Sequence, residues 1–148
     1  MFVNWLYLLL AALSGAAMAL QGTFNAALGK IIGLWESTLL VHLIGSIVVF
    51  LIIIILGVGF NNFGKLGSVP WYGFLGGILN VLIIYLVVRT IPKVGVGNAT
   101  TAIIVAQILT AVLVDSLGAF GMKKIEFQYL DLLGIALLAV GARILLLE

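Results

Sequence analysis

The sequence predicts an all-α integral membrane protein, a bundle of five transmembrane helices in a single domain over residues 1–148. Three observations carry this. The chain is 64% hydrophobic and only 8% charged, whereas a soluble domain carries about 25% charged residues. Its polar side chains are too few to cover a globule in water. Four windows hold no Asp, Glu, Lys or Arg: Met1–Gly29, Ser37–Gly64, Leu66–Val88 and Val94–Val114. Each exceeds the ~20 residues a helix needs to cross ~30 Å of hydrocarbon. Aromatic residues gather near the ends of these windows, at Trp5, Tyr7, Trp35, Trp71, Tyr72 and Tyr129, where membrane interfaces favour them.

The first helix is expected over 4–28 and the second over 37–56, with Lys30, Gly33 and Glu36 at the turn between them. Glu36 suits a first turn, where a carboxylate opposes the helix dipole. The stretch GVGFNNFGKLGSVP (57–70) reads as a loop. Pro70 opens a third helix over 70–91, because a first turn needs no intrahelical N–H. Pro92, Gly95 and Gly97 mark a break, and a fourth helix follows over 98–117 with Asn98 as its N-cap. A loop at 118–126 leads to the fifth helix, 127–147, which spans roughly 31 Å. Asp131 and Arg143 lie near its ends, where charges reach the interface. Asp115 falls at the far end of helix four, placed to pair with Lys123 or Lys124. Ala17-Met18-Ala19 fits a cleavage pattern, but no basic residue precedes the apolar run, which argues against a signal peptide.

The polar residues inside these helices carry the functional reading. On a helical wheel Gly15, Ala19, Gly22, Ala26 and Gly29 form one stripe within about 40°. Small residues let another backbone come close, which drives packing in lipid. Ser14, Gln21 and Asn25 form a second stripe about 100° away. Helix three places Gly73, Gly76, Gly77 and Asn80 on one side. Helix two groups Thr38, His42, Gly45 and Ser46, and helix four groups Thr100, Gln107, Ala111 and Gly118. Gly15, Gly22, Gly76 and Gly77 are therefore expected to pack helices. Gln21, Asn25, Asn80 and Gln107, with Ser14, are expected to bind a small-molecule substrate.

An unpaired amide in hydrocarbon costs on the order of 4–8 kcal/mol, so each needs a partner. Two readings stand. The amides join neighbouring helices, or they converge on a polar hollow that holds a solute, as small-molecule sites do. His42 also has two readings. Histidine is the side chain type that titrates near neutral pH, which makes this one the candidate for proton coupling, or it is a neutral ring making one hydrogen bond.

Other chemistry is excluded. The chain has no cysteine and one histidine, so no metal cluster forms within it, and no cofactor is expected. P-loop, H-E-x-x-H and nucleophile-elbow motifs are absent, so it does not read as an enzyme. Net charge is +2, but the basic residues are scattered at helix ends, with no patch for nucleic acid. By side, Lys65, Lys123 and Lys124 share the face of the N-terminus, while Lys30, Arg89, Lys93 and Arg143 share the other. Orientation follows an excess of Lys and Arg. Three against four leaves two readings: one weakly biased topology, or insertion both ways up.

QGTFNAALG (21–29) and AQILTAVLVDSLGAFG (106–121) resemble the small five-helix membrane proteins of the domain of unknown function 606 family, within the drug/metabolite transporter superfamily. Ala106 stands where Gly is usual and Leu117 where Phe is. The resemblance implies a transporter half, working in the cell's inner membrane. Related small multidrug exporters are antiparallel dimers with a Glu on the first helix; this chain has Gln21 and Asn25 there instead. The resulting expectation is a transporter moving a small organic solute or cation by alternating access, as a dual-topology, antiparallel homodimer in the lipid bilayer. A small dual-topology ion channel and a non-transporting membrane subunit remain the alternatives.

Overall fold

The computed structural model describes residues 5–146 and is helical throughout its long elements. In order these are α1 (Trp5–Ile32), α2 (Leu34–Ile55), α3 (Leu75–Val94), α4 (Val96–Leu117) and α5 (Tyr129–Leu145). Short 3-10 turns cover Asn61–Ser68, Trp71–Phe74 and Ala119–Gly121. The chain forms two compact units, one ending at Pro92 and the other beginning at Lys93.

In the first unit, one residue separates α1 from α2. Gly33 sits at φ 100, in the region that L side chains avoid. Its N–H donates to the Gly29 carbonyl and its own carbonyl accepts from Ser37 N–H, both at 3.1 Å. Glu36 lies in the first turn of α2, its carboxylate folded back against Gly33. The expected loop at 57–70 is tightly wound over Asn61–Ser68, where Phe60 stacks on Phe50 at 5.9 Å and meets Phe63 at 5.7 Å. Pro70 opens a 3-10 turn, and the α-helix starts only at Leu75.

The small-residue stripe of α1 meets α3. A Cβ on Gly22 would lie 3.1 Å from Val87 Cγ1 and 3.2 Å from Ile91 Cδ1. One on Gly29 would collide with Val88. Ala26, Val88, Ile84 and Ile91 are buried, and Trp35 of α2 packs on Tyr85 of α3 at 4.5 Å. At Gly15, Gly76 and Gly77 an added Cβ would meet open space.

Pro92 does not end α3, which continues to Val94. Its missing N–H removes one bond, yet the next turn still closes. The break comes at Gly95, at φ 84, and Gly95 rather than Asn98 occupies the cap position of α4. Asn98 falls inside the first turn.

In the second unit α4 ends at Gly118, in the left-handed conformation at φ 60, as helix C-termini commonly do. The following loop closes on Asp115 through its backbone: Ile125 N–H donates to the Asp115 carbonyl at 2.9 Å. α5 opens with Gln128 N–H donating to Asp131 Oδ2 at 2.7 Å. α4 and α5 pack on each other and leave a small apolar groove of about 270 Å³, lined by Ile104, Val105, Leu137 and Leu138 among others.

Four helices are long and apolar enough to cross a membrane: α1, α2, Trp71–Val94 and α4. α5 has 17 residues, roughly 26 Å, at the short end of the spanning range. Apolar side chains cover the outside. Trp5 is 76% exposed and Ile55 80%, and the long helices expose large apolar side chains along their lengths.

Candidate functional site

The first unit holds an open groove of about 520 Å³, within the ~300–1,000 Å³ typical of small-molecule sites. Three helices build it. α1 contributes Gln21, α2 contributes His42 and Ser46, and α3 contributes Asn80. Val41, Val49, Phe50, Ile53 and Ile84 supply apolar walls. The levels agree with the turn at Gly33. Gln21 stands twelve residues before it and Gly45 twelve after, so α1 and α2 run back along each other and bring these positions level.

Side-chain bonds order the polar wall. His42 Nδ1 lies 2.7 Å from the Thr38 carbonyl one turn back. His42 Nε2 lies 3.1 Å from Asn80 Nδ2. A carbonyl only accepts, so Nδ1 carries the hydrogen; in the neutral ring Nε2 is then an acceptor, and the Asn80 amide donates to it. Thr38 is buried and bonds the Leu34 carbonyl at 2.8 Å. This fixes the turn from which His42 projects. The imidazole thus links α2 to α3 at the groove wall and uses both nitrogens in doing so.

The other expected residues stand elsewhere. Asn25 is 7% exposed, one turn beyond Gln21 on α1. Ser14 is exposed on α1, two turns before Gln21. Gln107 is exposed on α4, in the second unit. Spacing grouped Ser46 with His42 but did not single it out as a binding residue. The His42–Asn80 bond joins residues 38 positions apart, and no local pattern signals such a pair. Among the described residues no cluster of three His, Cys, Asp or Glu could hold a metal.

No curated protein and no solved structure matches this chain. A family model described as "Putative inner membrane exporter, YdcZ" matches residues 6–144. It spans all five long helices, both the polar groove of the first unit and the α4–α5 pair of the second. The chain belongs to this family of inner-membrane exporters of the drug/metabolite transporter type.

Proposed function

We propose that the chain exports a small organic solute by alternating access, as an antiparallel homodimer of copies inserted both ways up. Gln21 and Asn80 contact the solute, and Asn25, Gln107 and Ser14 take part as the two copies alternate between outward- and inward-facing states. The observation that carries this is the groove itself, where polar groups from three helices meet within an apolar wall. Alternating access commonly uses inverted repeats around a site near the midplane. One chain carries no visible inverted copy of itself, and a second, upside-down copy supplies that symmetry. The near-equal Lys and Arg counts on the two faces favour such insertion.

Flux in proteoliposomes tests the reading. Export should saturate and show counter-flow. Asn80→Ala and Gln21→Ala should each lower it at least about tenfold, the loss expected when a site's polar group goes unmatched. Wild-type flux in both variants, with normal assembly, would end the groove reading. Single-channel current in place of saturation would point to a pore.

A further inference from the structure

We propose that the groove selects an uncharged solute, and that His42 sets which hydrogen-bonding face of Asn80 the solute meets. This rests on the groove being the solute site. The first half follows from charge. The polar lining is two amides, a hydroxyl and an imidazole, with no carboxylate. A permanent cation would find no carboxylate there to pair with, whereas amides and a hydroxyl match the hydrogen bonds of an uncharged solute.

The second half follows from hydrogen-bond direction. With His42 neutral, its Nε2 accepts from Asn80 Nδ2. Asn80 then keeps its Oδ1 available to the solute, and the groove favours a hydroxyl or N–H donor. A proton on Nε2 makes that nitrogen a donor. Asn80 must turn its Oδ1 to the ring and offer its NH₂ instead, so the groove favours a solute that only accepts. His42 is a positioning residue here, acting through Asn80.

No second titratable group lines the groove beside the ring. α1 brings Gln21 there, and α3 brings Asn80 and Ile84. The charged residues of the three helices are Lys30, Glu36, Arg89 and Lys93, all toward the Gly33 end. Glu36 is six residues from His42 on α2, about 9 Å along the axis. Binding of a proton and binding of a donor solute therefore oppose each other. By reciprocity each lowers the affinity of the other, which is the linkage that proton-for-solute exchange requires.

Three probes of similar bulk test this on the purified full chain: triphenylmethanol, triphenylphosphine oxide and tetraphenylphosphonium. Binding is measured at about pH 8 and about pH 5, because histidine is the side chain type whose protonation can change across that range. At the higher pH the alcohol should bind at least about tenfold tighter than the cation. The alcohol-to-oxide affinity ratio should fall at least about fivefold on acidification, the worth of one hydrogen bond. In His42→Gln and His42→Phe that ratio should not change with pH. Because it is a ratio within one sample, partial loss of folded protein cancels. Tightest binding by the cation, a flat ratio in the unmodified chain, a pH shift that survives both His42 substitutions, or no binding by any probe overturns the proposal. Asn80→Ala and Gln21→Ala separate the two levels. If probe binding ignores both, the groove is not the solute site. If binding needs them but the ratio stays flat, only the His42 inference falls.

Discussion

At Gly29 one added carbon decides whether α1 can lie on α3. A Cβ there would collide with Val88 and come within 3.2 Å of Ser37 Oγ. Both neighbours are buried and have little room to retreat. Gly29→Ala should therefore destabilise the protein by about 1–3 kcal/mol, the usual cost of overpacking, seen as a lower unfolding temperature in detergent. Gly15→Ala is the matched control. A Cβ there meets nothing within 4 Å, and Ala is the better helix former by up to about 1 kcal/mol, so its unfolding temperature should hold or rise. Equal losses at both positions would refute the packing assignment. The stripe holding Gly22, Ala26 and Gly29 is legible in the sequence, because helical spacing is local information. That it meets α3 is not, since a wheel says which face is small but not what covers it. The same limit applies to the site. Gln21, His42 and Asn80 are recognisable as polar groups in an apolar setting, while the bond from His42 to Asn80 exists only once α2 and α3 are side by side.

Among the elements, helix boundaries set by glycine proved easier to mistake than the helices themselves. Proline at 92 and asparagine at 98 carry strong local signals for a stop and a start. Of the residues the sequence marks there, the break falls at Gly95, whose φ of 84 lies in the region that favours glycine. The 3-10 turn at Trp71–Phe74 is equally hidden, since its apolar run reads like the helix that follows. Gly33 plays the same part between α1 and α2. Gly33→Ala places an L residue at φ 100 and drives its Cβ into the Glu36 carboxylate. A loss of about 1–3 kcal/mol is expected from the backbone alone, together with reduced solute binding as the level of Gln21 against Ser46 slips. Pairing it with Glu36→Ala separates the two causes. If the double substitution restores full stability, crowding and not backbone strain was the cost. The analogous change at Gly64, where a Cβ meets nothing within 4 Å, should be close to neutral.

For the whole molecule, the apolar exterior and the balance of basic residues make orientation the property to test. Asn61 and Asn62 are exposed in the 3-10 segment after α2. Changing both to Lys raises the basic count expected on that face from three to five, against an expected four on the other. A reporter fused to the C-terminus should read both sides of the membrane in the unmodified chain and one side in the doubly substituted chain. Flux should fall with it, and return when a copy biased the opposite way is co-expressed. A one-sided reading in the unmodified chain would remove the antiparallel dimer. The membrane class is legible because hydropathy summed over long windows is insensitive to packing; whether copies associate is not, because that depends on surfaces rather than windows. The single-residue joint at Gly33 bears on how the first two helices enter the membrane. One residue reaches only ~3.8 Å, too little slack for α1 to settle in lipid while α2 waits in the aqueous phase. The two should therefore enter the bilayer together as a hairpin, so that the sidedness of α1 also sets that of α2.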